Sequence, residues 1–182
     1  METRLRKFFV SARRLIVDAR GAAIVEFAIC GSVFIALLLA CVQTGIIYFM
    51  QQSLQTAAES GTRYIMTGQA QNAKMTARQF RTYVCQQTLP ILDCSKVMVD
   101  VRSASSFSSI DPNKPGITYN AAGKVTNKWE FDMGSAGSIM IVRVMYLWNT
   151  PLGPLNLDFS DAGAGKRLLM GSMVFKSEPF QI

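Results

Sequence analysis

The sequence predicts an α+β protein. One long N-terminal transmembrane helix, continuing beyond the membrane, precedes a short second helix and a small antiparallel β-sheet of three or four strands. Three observations carry this reading. Phe27 to Ala58 contains no Asp, Glu, Lys or Arg. Lys96–Arg102 alternates cleanly, the period of a half-buried strand, and Ser138–Trp148 is the strongest β signal. Helical segments come first and strands afterwards, the order of an α+β plan and not of alternating α/β units.

Charge is unevenly placed. Residues 1–21 hold six Lys/Arg and two Asp/Glu, a net of +4 out of the chain's +7. Arg4, Arg6, Lys7, Arg13, Arg14 and Arg20 are interleaved with Leu5, Phe8, Phe9, Leu15 and Ile16. Under the positive-inside rule such a segment stays cytoplasmic, which sends the rest of the chain outward. The remaining +3 is too mild and scattered to argue for nucleic acid.

Phe27 to Met50 is the strongly apolar part, 24 residues, or about 36 Å of helix. That exceeds a bilayer core of about 30 Å, so it spans with tilt. It is also longer than a signal-peptide apolar core. Glu26 sits one turn inside its start. A carboxylate costs at least about 2.5–3.5 kcal/mol at the centre of a membrane helix and less near an end, so it is a functional residue by default.

Ala28, Ser32, Ala36, Ala40 and Thr44 fall four apart, a ladder of small residues that lets another helix approach closely. Steps of four drift around the helix, so the ladder winds and does not form one flat seam. Cys30 and Cys41 read as small packing residues, because two cysteines that far apart in one helix cannot be bridged. Leu38-Leu39-Ala40-Cys41 also resembles a lipobox, which would make Cys41 a lipidated N-terminus. The apolar run continues past it to Phe49, where a lipoprotein turns polar.

Beyond Met50 the helix is expected to run to a stop at Gly68, with Leu54, Ala57, Ala58, Gly61 and Ile65 on one side. A second helix is expected from Asn72 to Thr88, ended by Leu89-Pro90. Cys85 and Cys94, nine positions apart and outside the cytoplasm, read as a disulfide, the alternative being two unrelated buried thiols. Expected strands are Lys96–Arg102, a short one at Trp129–Phe131, Ser138–Trp148 and Arg167–Phe175. The loops between them, Ser103–Asn127 and Thr150–Lys166, are rich in Ser, Gly and Pro.

No enzyme constellation stands out. There is no histidine, which removes the commonest general base and metal ligand. No metal-ligand cluster, GxSxG or phosphate-binding glycine loop is present. Asp158 and Asp161 could pair as carboxylates, but in a Gly-rich loop they read as solvated. No catalytic residue, metal or cofactor is expected.

Arg20-Gly21-Ala22-Ala23-Ile24-Val25-Glu26-Phe27 resembles a type IV prepilin processing site, and its wording is similar to that of the TadE-like family, pseudopilins (minor pilins) of the Tad or Flp pilus system. Gln52 to Tyr64, Phe131 to Trp148 and the Phe175-Lys176-Ser177-Glu178-Pro179-Phe180 ending resemble the family as well. Cys30, Cys41 and the Ser103–Asn127 loop have no counterpart in it.

The resemblance implies a prepilin peptidase that cuts after Gly21. It would leave residues 1–21 as a cytoplasmic leader, 22–68 as the transmembrane and extended helix, and 69–182 as a periplasmic domain of a single-pass inner-membrane protein. Ala22 would carry the new amine, with Glu26 and Phe27 serving assembly. Implied partners are the peptidase, other Tad pseudopilins, the major Flp pilin, the inner-membrane assembly platform and membrane lipid, with incorporation into an extracellular pilus. Two other readings stay open. One is a single-pass or Cys41-lipidated binding or adhesion protein; the other is a small extracytoplasmic enzyme with catalytic acids in the two long loops.

Overall fold

The computed structural model describes residues 21–150, 153 and 157–179. Contacts divide the chain into two compact units, Met1–Val42 and Gln43–Ile182. Helix α1, Ala22–Met66, supplies the described part of the first and opens the second. It contains no proline, and it stops where Gly68 turns left-handed at φ 76°, a conformation glycine adopts without Cβ strain. The predicted stop is therefore the observed one.

In the second unit α1 buries Ile47, Met50, Leu54, Ala57, Ala58, Gly61, Thr62 and Ile65. Their spacing of three and four makes a single stripe. Helix α2, Ala77–Gln86, packs Phe80 and Val84 into the same core. It starts five residues later than the sequence reading placed it. Gln69–Asn72 forms a separate single turn, Lys74 takes φ 46°, and Thr76 caps the helix proper. The Thr76 hydroxyl accepts from Gln79 N–H at 3.3 Å, and Gln79 Oε1 accepts from Thr76 N–H at 2.8 Å. That Thr-x-x-Gln capping box was present in the sequence and outweighs the apolar periodicity that ran through it.

Strands β1 (Met98–Ala104), β2 (Ile139–Asn149) and β3 (Lys166–Lys176) form an antiparallel sheet in the order β1-β2-β3. Trp129–Phe131, expected as a strand, contributes only a parallel bridge from Phe131 to Val101. Val101 N–H donates to Glu130 O and Asp132 N–H to Val101 O, both at 2.9 Å. The described sheet thus has the lower of the two strand numbers expected.

One sheet face meets the α1 stripe through Val101, Met140, Val142, Val144, Leu169 and Phe175. The contact is closest at Gly171, where a Cβ would lie 2.3 Å from Leu54 O. Only glycine lets the helix backbone approach a strand so nearly. The opposite face carries a smaller cluster of Met145, Leu168 and Met170 with Trp129 and Leu147 against it.

The outer edge of β3 is closed by the helix itself. Gln51 donates to Met170 O at 2.6 Å and accepts from Met170 N–H at 3.3 Å. Gln55 does the same at Ser172, at 3.3 and 3.1 Å. Two amides one helical turn apart thereby stand in for a neighbouring strand.

Candidate functional site

The Gly21–Phe27 stretch forms the first turns of α1. Gly21 immediately precedes the helix, and a Cβ there would meet nothing within 4 Å. Ala22, Glu26 and Phe27 are all exposed. Ala22 and Glu26 are four apart in a helix, hence on one face. The basic segment assigned as a leader, residues 1–20, lies outside the described residues.

After Glu26 the apolar side chains of the first unit point outward, with Phe27 at 79%, Phe34 at 62% and Val42 at 59% exposure. The helix is long and apolar enough to cross a membrane, and none of its most apolar window is buried. Within it, Ala28 and Ser32 are exposed and Ala36 and Ala40 half-buried. Ser32 satisfies its hydroxyl on Ile29 O at 2.9 Å, so the ladder presents small surfaces without an open donor there. Thr44, the last rung, is half-buried. Cys30 and Cys41 are free thiols on the exposed surface, and α1 passes through Cys41 without a break.

Cys85 and Cys94 form a disulfide with Cα atoms 5.6 Å apart. It ties the last turn of α2 to the 3₁₀ turn Cys94–Lys96 just before β1. The spacing carried that pairing; the 3₁₀ turn, capped by Asp93 on Ser95 N–H, had no such signal. The Ser95 hydroxyl and N–H hold the Asp93 carboxyl below the ordinary range.

The polar centre of the domain was missed in the sequence, where Asp100 and Arg102 look like the outward face of a strand. Asp100 is fully buried, and its carboxylate meets Arg143 Nη1 at 3.1 Å and Arg102 Nε at 3.0 Å. It also accepts Glu130 N–H at 3.0 Å. Asp100 and Arg143 are direct cross-strand partners in the register. Arg143 donates further to Asp111 O, which draws the loop after β1 over this face. A carboxylate held by two guanidiniums and a backbone donor is a structural clamp, with its acceptor sites already engaged.

Asp158 and Asp161 do not form a carboxylate pair poised for chemistry. Asp158 accepts Ser160 N–H at 2.8 Å, which lowers its pKa. Asp161 accepts Leu168 N–H at 2.7 Å and Lys114 Nζ at 3.0 Å. Both hold turns. Among the described residues no group of three or more His, Cys, Asp or Glu is placed to hold a metal ion.

Ser177 and Glu178, just after β3, also have a physical role, while Phe180 of the same ending lies outside the described residues. Glu178 N–H donates to Met66 O at 3.0 Å, satisfying a carbonyl left free at the end of α1. The Ser177 hydroxyl donates to Ser135 O at 2.8 Å. The segment after β3 therefore fastens the helix end to the sheet.

Fold and helix together define a class: an α+β protein with, among the described residues, one exposed apolar helix long enough to cross a membrane. Residues 21–63 match the family model described as TadE-like protein, so in that segment the chain is similar to the TadE-like family. The match begins at Gly21 and ends at Arg63, so it covers the start of α1, the exposed half and most of the buried stripe. No curated protein and no solved structure matches the chain significantly.

Proposed function

We propose that this chain is a pseudopilin, or minor pilin, of a Tad pilus. A prepilin peptidase cleaves it after Gly21, and it takes part in assembly or initiation of the pilus. The observation that carries the reading is Glu26, a lone carboxylate one turn into an exposed apolar helix whose sequence matches the TadE-like model from Gly21 onward. Cleavage creates the amine of Ala22 four residues before Glu26. In a low dielectric that amine and carboxylate, of one subunit or of neighbours, attract strongly and offset each other's desolvation.

The small residues Ala28, Ser32, Ala36, Ala40 and Thr44 then let such helices pack closely against other Tad pseudopilins, the major Flp pilin or the inner-membrane assembly platform. In this reading the N-terminus faces the cytoplasm and the domain the periplasm. A periplasmic domain agrees with a disulfide, which persists in oxidising compartments.

The mature N-terminus tests the proposal. N-terminal sequencing and intact mass of the membrane-extracted protein are expected to give Ala22. Met1 would establish an unprocessed anchor of a binding protein, and a lipidated Cys41 a lipoprotein. Gly21→Trp is expected to accumulate full-length precursor on a gel. Glu26→Ala is expected to leave insertion intact and abolish incorporation; unchanged piliation would end the assembly role.

A further inference from the structure

The sheet has a vacant strand position. β2 pairs with β3 from Ile139 to Asn149, but with β1 only from Ile139 to Met145. Tyr146–Asn149 therefore has a neighbour on one side only. β1 cannot continue alongside, because the chain before Met98 turns into the Cys94–Lys96 helix and is held by the disulfide to α2.

Alternation identifies which backbone groups face the gap. Thr150 N–H bonds Gly165 O on the β3 side at 3.0 Å, so Trp148 and Tyr146, of the same parity, also bond β3. Leu147 and Asn149 direct their N–H and C=O groups the other way. They face a cleft of about 1160 Å³ lined by Tyr146–Asn149, by the start of β1 and by Trp129.

Charge specifies what would enter. Arg78, Arg81, Lys96, Lys124 and Lys166 line the cleft, and the acidic residue among its lining is Glu130. Lys96 is paired with Asp93 at 3.3 Å, and Lys166 lies over the Tyr119 ring. Arg78, Arg81 and Lys124 have no ion-pair partner among the described residues.

We propose that this cleft receives an extended, acidic segment of a partner protein, added as a strand beside Tyr146–Asn149. Backbone pairing to Leu147 and Asn149 supplies register, and carboxylates on the incoming strand meet Arg78, Arg81 and Lys124. This is strand addition at an open sheet edge. A single-stranded nucleic acid would match the cations and Trp129, but it has no alternating N–H and C=O to offer the two residues. The proposal does not depend on cleavage at Gly21.

The test uses the full chain in detergent micelles and a fluorescent, N-acetylated peptide of alternating valine and glutamate. Three competitors accompany it: the same peptide N-methylated at alternate residues, a valine–lysine version, and oligothymidylate. The acidic peptide is expected to bind, and its N-methylated form to bind about tenfold more weakly, the scale of a lost net hydrogen bond or two. Hydrogen exchange at the Leu147 and Asn149 amides is expected to slow on binding, while Met170 and Ser172 stay unchanged.

Leu147→Pro removes the donor facing the cleft without touching the bonds to β3, and Arg78→Glu with Arg81→Glu reverses exposed charge. Each is expected to weaken binding with the melting temperature of the arginine variant unchanged. Absence of binding by the acidic peptide overturns the proposal. So does equal binding by the N-methylated peptide, preference for oligothymidylate, or unaltered exchange at Leu147 and Asn149. Should Leu147→Pro fail to fold, the arginine variant and the exchange data decide.

Discussion

The two halves of α1 use similar side chains for opposite surroundings. From Ala22 to Val42 large apolar residues such as Phe27, Phe34 and Leu38 are exposed. From Ile47 onward a stripe of the same kind of residue, Ile47, Met50, Leu54 and Ile65, is buried in the domain core, while Tyr48 and Phe49 still face outward. What separates the halves is not hydrophobicity but the residues beside it. The second half carries Gln51 and Gln55, whose amides occupy the edge of β3, and Glu59 and Arg63 on its exposed side. An apolar face with polar neighbours is a core-facing helix; one without them is fit for lipid. The boundary is not where apolarity ends. Ile47 and Met50 close the apolar run of the sequence yet belong to the domain's core.

Removing one leucine from each half is the largest test of this contrast. Leu54 is fully buried beneath Gly171, and Leu54→Ala is expected to destabilise the domain by about 2–5 kcal/mol. Leu38→Ala, on an exposed position, is expected to leave domain stability within about 0.5 kcal/mol. Urea denaturation followed by the fluorescence of Trp129 and Trp148 measures both. Equal effects would show that the halves are not energetically distinct.

The disulfide comes next, because it fastens α2, which covers the second half of α1, to the start of β1. Cys85→Ser with Cys94→Ser is expected to cost about 2–3 kcal/mol by releasing a short loop in the unfolded chain. The same loss should follow from reducing the wild type. Cys30→Ser with Cys41→Ser, in the exposed half, is expected to leave the denaturation midpoint in place. A shift there would tie the first half to domain stability.

Gln55→Ala is the finer probe of the second half. It withdraws both bonds from Ser172 and exposes a strand edge, at a cost of about 1 kcal/mol. Hydrogen exchange at Ser172 should quicken while Val144 and Gly171, inside the β2–β3 ladder, keep their protection. Unchanged exchange at Ser172 would mean that water already satisfies that edge.

These probes follow the division between what could be read from the sequence and what could not. The helix stop at Gly68, the disulfide and the β2 and β3 strands are local signals, written within a few residues of where they act. The glutamine clamp joins residues 119 and 117 positions apart, and the Asp100–Arg143 pair spans 43. Nothing local in Gln51 or Asp100 marks it as a partner of a distant strand. Gly171 is intermediate. A glycine inside a strand signals close approach, but only the packed helix tells which backbone approaches. The gap beside Tyr146–Asn149 was illegible for the same reason, since it arises from unequal strand lengths in the paired register.

The smallest expected effect concerns the loop that lies alongside β1. The Asp132 carboxyl is held below the ordinary carboxylate range, chiefly by the Ser103 hydroxyl and then by Gly134 N–H. A carboxyl depressed on folding favours the folded state above its unfolded pKa of about 3.9. That stability is lost as pH falls through the lower folded value. Because Asp132 is exposed, water screens the contribution to well under about 1 kcal/mol. Asp132→Asn should therefore sit slightly below wild type in urea midpoint at pH 7, and the gap should narrow as the pH falls below the unfolded pKa of about 3.9. Asp93, Asp111 and Asp158 are lowered in the same direction, but they are common to both proteins and cancel in the difference. A gap that widens on acidification would mean that Ser103 and Gly134 do not hold the charged form, and that the loop is fastened to β1 by the Val101 backbone bonds and the Asp100–Glu130 bond without them.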